Sequence, residues 1–127
     1  MIFGVGTDVV EIGRIEKALG RFGEKFARRV LCEPELERFL KHRLPASYLA
    51  KRFAAKEAFT KALGTGIHAP ANWHGVWVRN LPSGKPVLEF SEPLKDLMKK
   101  KGVTSSHVSL SDEKDVAFAT VILECES

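Results

Sequence analysis

At 127 residues and 44% hydrophobic, the chain suits a single domain, residues 1–127, whose one core needs neither disulfides nor a structural metal. A charged fraction of 28% excludes a disordered or fibrous chain. The net charge of +4, from 20 Lys+Arg against 16 Asp+Glu, favours an acidic partner or a phosphorylated substrate without naming either. In chain order, Ile2 to Val10 is apolar and β-branched, and reads as a buried strand broken by Gly4 and Gly6. Glu11 to Phe22 carries Ile12, Ile15 and Leu19 at helical spacing, and Phe26, Val30 and Leu31 suggest a second short helix. Pro34 suits a first helical position and opens Glu35 to His42. The longest helical pattern runs from Ala46 to Leu63, with Gly64 as its C-cap.

Trp73 to Arg79 and Val87 to Phe90 read as strands joined by a turn at Pro82, Ser83 and Gly84. Ser91 caps a helix to Lys100 with Leu94, Leu97 and Met98 inward. His107 to Leu110 and Val116 to Leu123 complete a hairpin around Asp112 to Asp115. The whole predicts an α+β fold, one long helix packed on an antiparallel sheet. Cys32 and Cys125 form no disulfide or zinc motif, which predicts a reducing compartment. Asp8 and Glu11 interrupt the first apolar run too early for a signal peptide, and no stretch reaches membrane-spanning length. A soluble, cytoplasmic protein without a membrane partner is expected.

The most informative stretch is Arg52 to Gly66. Glu57 and Lys61 are four apart and share a helical face with Phe53, Ala54 and Ala50. Two charges on a largely apolar face are costly unless they serve each other or a ligand. Spacing alone favours an ordinary intrahelical pair. Asp8 stands near a strand end, where a carboxylate can hold a hard cation, but Asp8 with Glu11 also fits a capping box, and local pattern favours the cap. Gly64-Thr65-Gly66 offers backbone N–H groups that a phosphate could use. No Walker loop, complete G-x-G-x-x-G, nucleophile elbow or histidine metal motif is present.

Several motifs in register carry a family resemblance that spacing alone does not reach. Gly4-Val5-Gly6-Thr7-Asp8-Val9-Val10-Glu11-Ile12, followed by Arg14-Ile15, resembles the start of holo-acyl-carrier-protein synthases. Arg52 through Ile67 is similar to that family's second signature. Trp73 to Arg79 with Gly84-Lys85-Pro86, and His107-Val108-Ser109-Leu110-Ser111 before Ala117 to Leu123, resemble its later blocks. The resemblance spans essentially the whole chain.

It implies an enzyme that moves phosphopantetheine from coenzyme A to a serine of an acyl carrier protein, for fatty acid synthesis. It also implies magnesium held by Asp8 and Glu57, and Lys61 near the pyrophosphate. Arg52, Gly66 and His107 would contact coenzyme A. A homotrimer is implied, with sites between subunits and His107 supplied by the neighbour. The acceptor of the serine proton stays open. Many relatives carry a second histidine where this chain has Asp112, so no role is carried to that position. Arg14, Lys17 and Arg21 share one helical face, suited to an acidic carrier protein, although a plain solvated stripe has the same pattern. The alternative from another class is a small basic RNA-binding module using Trp73, Trp77 and Arg79. No RNA-recognition signature accompanies them, and Asp8 and Glu57 would repel phosphate, so no nucleic-acid partner is expected.

Overall fold

A computed structural model describes residues 1–126. The elements run β1 (Ile2–Glu11), α1 (Ile12–Phe22), α2 (Glu24–Val30), α3 (Glu33–Lys41), α4 (Pro45–Leu63), β2 (Val76–Asn80), β3 (Pro86–Phe90), α5 (Glu92–Lys100), β4 (Val103–Asp112) and β5 (Val116–Cys125). An antiparallel sheet of order β1-β5-β4 and a separate β2-β3 hairpin make the strands. The fold is α+β, with α4 laid across one face of the larger sheet.

Helix α4 carries no amphipathic stripe because it is enclosed on nearly every side. Leu49, Ala50, Ala54, Ala55, Ala58 and Phe59 are all fully buried, and so is the charged Lys56. A helix apolar around most of its circumference belongs in a core. Gly64 ends it at φ 88°, in the left-handed region, with its N–H bonded to the Thr60 carbonyl.

Gly4 and Gly6 do not break β1. The strand continues through them to Glu11, with one irregularity in register between Ile2 and Gly4. Their function is proximity. A Cβ on Gly4 would lie 2.0 Å from the Ala62 carbonyl oxygen, and one on Gly6 would lie 1.9 Å from that of Ala58. Only bare backbone lets strand and helix approach so closely.

The capping box expected at Asp8 and Glu11 does not form. Glu11 is still strand, and α1 has no side-chain cap. The Ile12 N–H instead donates to the Asp115 carbonyl at 2.9 Å, so a neighbouring hairpin satisfies the helix start. At α5 the expected cap is present, with Ser91 accepting from the Leu94 N–H. The Trp73 strand begins later than expected, at Val76. Trp73 to Gly75 belong to a turn in which the Gly75 N–H donates to the Asn72 carbonyl. The last two strands extend well beyond their expected ends, because each pairs along ten residues.

Candidate active site

Alternation along β1 places Gly4, Gly6, Asp8 and Val10 on the face toward α4, and Val5, Thr7 and Val9 on the other. Opposite Asp8, α4 presents Glu57 and Lys61 one turn apart. Lys61 does not close the expected intrahelical pair. Its Nζ reaches across to Asp8 Oδ1 at 3.1 Å and donates to the Thr7 carbonyl at 3.0 Å. The close strand–helix approach makes that reach possible and leaves Glu57 without an ion-pair partner among the described residues.

Burial raises the Glu57 carboxyl above the ordinary carboxylate range, the nearby Asp8 charge adds to the rise, and Lys61 opposes it. Two carboxylates that repel in this way, next to a single ammonium, suit a further cation held by oxygen. Among the described residues no cluster of three His, Cys, Asp or Glu stands together. The donor set is therefore a two-carboxylate one and not a zinc-type cage.

Asp8 and Glu57 line a cavity of about 460 Å³ whose apolar wall includes Ile15, Phe26 and Phe53. Arg14 stands at the same cavity, on α1. Lys17 and Arg21 follow it on the helix, all three exposed, and none forms an ion pair among the described residues. The structure thus joins Arg14 to the carboxylates, while Lys17 and Arg21 extend the positive surface away from them.

The other expected site residues lie apart. Arg52 points to a different side of α4, where it is buried and donates to Asn80 Oδ1 at 2.9 Å. His107 lies on the outer face of β4, with β5 between it and β1. Its Nε2 is 2.6 Å from Glu124 Oε1. Bonds from His107 and Ser105 lower the Glu124 carboxyl. The Gly64-Thr65-Gly66 turn does not offer free donors. The N–H groups of all three residues converge on the Thr60 carbonyl, at 2.9, 3.1 and 3.4 Å.

Asp112 has a local task that its sequence context did not reveal. It accepts from Ser47 Oγ at 3.0 Å and pairs with Lys51 at 3.1 Å, tying the end of β4 to α4. The sequence reading also missed Lys56 and Glu35. Both side chains are fully buried and 2.7 Å apart. Lys56 donates further to the Val30 and Trp73 carbonyls. Glu35 accepts from the Cys32 and Val78 N–H groups. The only available signal was that Lys56 sits in the same motif as Glu57, on an otherwise buried helix.

The aromatic residues of the RNA-binding alternative are not a free stacking platform. Trp73 packs on Phe53 with ring centroids 4.8 Å apart, and Trp77 Nε1 donates to Glu89. Stacking of bases needs open ring faces on one sheet surface.

Comparison with known proteins identifies the family of the chain. Residues 4–121 match the family described as the 4′-phosphopantetheinyl transferase superfamily. A holo-[acyl-carrier-protein] synthase of Pseudoalteromonas atlantica is 54% identical over 123 residues, covering 97% of each chain. The crystal structure of a holo-[acyl-carrier-protein] synthase from Neisseria meningitidis superposes with a TM-score of 0.94 at 40% identity, over 98% of this chain and 99% of that one. A Bacillus anthracis structure of the same kind, in complex with CoA (3′,5′-ADP), gives 0.82 at 39% identity, over 99% of each. No comparison supports the RNA-binding alternative.

Proposed function

The chain belongs to the 4′-phosphopantetheinyl transferase superfamily, and we propose that the cleft between β1 and α4 is where it performs that chemistry. The enzyme transfers 4′-phosphopantetheine from coenzyme A to a serine of apo-acyl carrier protein, giving the holo protein and adenosine 3′,5′-bisphosphate. The observation that carries the site assignment is the cross-element contact of Lys61 with Asp8 beside an unpaired, half-buried Glu57.

Asp8 and Glu57 would hold magnesium, which takes oxygen ligands and commonly uses one or two carboxylates. When bound, the ion neutralises charge on the substrate's phosphate oxygens. Lys61, fixed by Thr7 and Asp8, gives the pyrophosphate a positioned positive charge. The serine hydroxyl releases its proton to solvent as its oxygen bonds to the β-phosphorus, the bond from that phosphorus to the bridging oxygen breaks, and the bisphosphate leaves with the bridging oxygen. Burial, with the nearby Asp8 charge, raises the proton affinity of the Glu57 carboxylate. Ile15, Phe26 and Phe53 form an apolar wall of the same cavity. Arg14, with Lys17 and Arg21 behind it, receives the acidic carrier protein.

Assembly completes the reading. Val5, Val9 and Phe118 are 54%, 57% and 40% exposed on the sheet face away from α4, and His107 shares that face. An apolar sheet face left open to water supports packing against copies of the chain as a homotrimer. The β4 strand of one protomer would then meet the carboxylates of the next and bring His107 to the coenzyme, which Arg52 on α4 would also contact. Gly66 would lie beside the phosphates by virtue of its small size, since its N–H is engaged. No helix among the described residues is long and apolar enough to cross a membrane, and the reading places the enzyme in the cytoplasm, serving fatty acid synthesis.

The test is incubation with coenzyme A, magnesium and apo-acyl carrier protein, followed by intact mass. Wild type should add one phosphopantetheine group, and chelator or Glu57→Gln should slow transfer by about 100-fold or more. A wild type that adds nothing refutes the function, and a fully active Glu57→Gln refutes the site. Sedimentation should give a trimer, and mixed Glu57→Gln and His107→Ala chains should exceed either parent. A monomeric wild type refutes the shared site.

A further inference from the structure

Lys56 and Glu57 are neighbours on α4 in opposite situations. Glu57 lines the cavity it shares with Asp8, while Lys56 is fully buried. An ammonium has three hydrogens to donate. Lys56 directs them to the Val30 carbonyl at 2.6 Å, Glu35 Oε1 at 2.7 Å and the Trp73 carbonyl at 2.7 Å, with the Cys32 sulfur further off at 3.9 Å. None remains for a substrate. Glu35 is as fully committed, its Oε1 also accepting from the Cys32 N–H and its Oε2 from the Val78 N–H, both at 2.9 Å.

Burying such a pair contributes little net stability, because desolvation offsets the attraction and apolar residues of similar volume often serve as well. What the ions add is direction. Val30 is the last residue of α2, where a carbonyl lacks an intrahelical partner and a cation is favoured. One turn back on that helix stands Phe26, which lines the cavity of Asp8 and Glu57. The Trp73 carbonyl belongs to the turn whose indole packs on Phe53, with ring centroids 4.8 Å apart, and Phe53 lines the same cavity. Two aromatic walls of the cavity are thus tied, through backbone carbonyls, to one ammonium on the helix that carries Glu57.

We infer that Lys56 is a positioning residue for the transfer. Through the Val30 and Trp73 carbonyls it sets Phe26 and Phe53 against Asp8 and Glu57, with Glu35 as its counter-charge. It touches no reacting atom. The role rests on the proposed location of the transfer at this cavity, and it separates the two adjacent charged residues of the motif, one facing the chemistry and the other holding the walls around it.

The test compares kcat well below each variant's unfolding transition, so that only folded enzyme is measured. Glu35→Gln removes the counter-charge but leaves the ammonium its two carbonyl bonds. Its urea midpoint should fall while kcat stays within about twofold of wild type. Lys56→Met combined with Glu35→Gln removes charge and carbonyl bonds together. Its kcat should fall about tenfold or more, even though its midpoint exceeds that of Lys56→Met alone. A pair that merely stabilised the fold would leave kcat unchanged in both. In a Trp77→Phe background, where Trp73 is the remaining tryptophan, acrylamide should quench the emission of the double variant more strongly than that of its parent. Wild-type kcat or unchanged quenching in the double variant overturns the inference, and so does an equal loss of kcat in Glu35→Gln. If the double variant does not fold, Trp73→Leu decides. It removes the ring behind Phe53 without touching the buried pair and should lower kcat about threefold or more, and a wild-type kcat there overturns the inference. Loss of transfer by wild type itself would count against the proposed function, and the quenching would still decide whether Lys56 holds the wall.

Discussion

Gly6→Ala probes the feature on which the site's geometry depends. The added Cβ would meet the Ala58 carbonyl oxygen at 1.9 Å and the Ala62 nitrogen at 2.7 Å. Both obstacles are helix backbone, so no side-chain rotation relieves the contact. Strand and helix must separate on the order of 1 Å before the methyl is accommodated. Overpacking of this kind costs roughly 1–3 kcal/mol and sometimes more, and the rigidity of both partners argues for about 3 kcal/mol. With a urea dependence of about 1.5 kcal/mol per molar, the unfolding midpoint should fall by about 2 M.

The same separation moves Asp8 away from Glu57 and lengthens the Lys61 bonds to Asp8 and Thr7, now 3.1 and 3.0 Å. A misplacement of about 1 Å at reacting groups costs roughly 100-fold in rate. Urea unfolding and the intact-mass transfer assay, the latter below the variant's unfolding transition, measure the two effects. Gly20→Ala is the control, since a Cβ there has nothing within 4 Å. It should stabilise α1 by about 0.5–1 kcal/mol. A Gly6→Ala protein with unchanged midpoint and rate would refute the argument that backbone proximity builds the site.

Arg14→Glu should raise the KM for carrier protein about five- to tenfold and flatten its salt dependence, with the KM for coenzyme A changing far less. Equal effects on both substrates would remove Arg14 from the docking surface. Burial would raise the Asp112 carboxyl, but bonds from Lys51 and Ser47 outweigh it, so its pKa is lowered in the folded state. Its contribution is then present above the unfolded value near 3.8 and lost as pH falls through the folded one. Asp112→Asn should cost about 0.5–1 kcal/mol at pH 7, and the gap should begin to close near pH 3.8 and vanish once pH is below the lowered folded-state pKa; a gap that does not narrow as pH falls below 3.8 refutes the ionic account. Lys56→Met should cost about 3–5 kcal/mol in urea unfolding because it strands the buried Glu35 charge. Adding Glu35→Gln should recover part of that, and no recovery would mean that the lost carbonyl contacts, not the charge, set the cost.

Elements defined by local chemistry were legible in the sequence. Gly64 after Leu63 and Ser91 before Glu92 mark the ends of α4 and α5 because a left-handed turn and an N-cap each need only neighbouring residues. Pairings across the chain were not. Asp8 and Glu11 have capping-box spacing, yet the Asp115 carbonyl reaches the Ile12 N–H first. Glu57 and Lys61 have ion-pair spacing, yet Asp8 lies 53 residues from Lys61 and wins the ammonium. Lys56 and Glu35 are 21 apart, and no periodicity connects them. The site carboxylates themselves came from motif resemblance, since a lone aspartate in an apolar strand has a common structural explanation as well.

Strand β1 links these facts, because its two faces have opposite requirements. Toward α4 it must be small, so that Gly4 and Gly6 admit the helix and Asp8 meets Lys61. Away from α4 it is apolar, with Val5 opposite Ile122 and Val9 opposite Phe118. A one-residue slip against β5 would exchange the faces, burying Val5 and Val9 against helix backbone and turning Asp8 outward. A slip in register would therefore cost the strand its outer apolar surface and its fit against α4 together. Outward polar substitutions at Val5 or Val9 would spare the contacts to α4, yet would remove the surface through which a second protomer could bring its own β4 to the site. In the proposed assembly, the half-site and the means of completing it would alternate residue by residue along one strand.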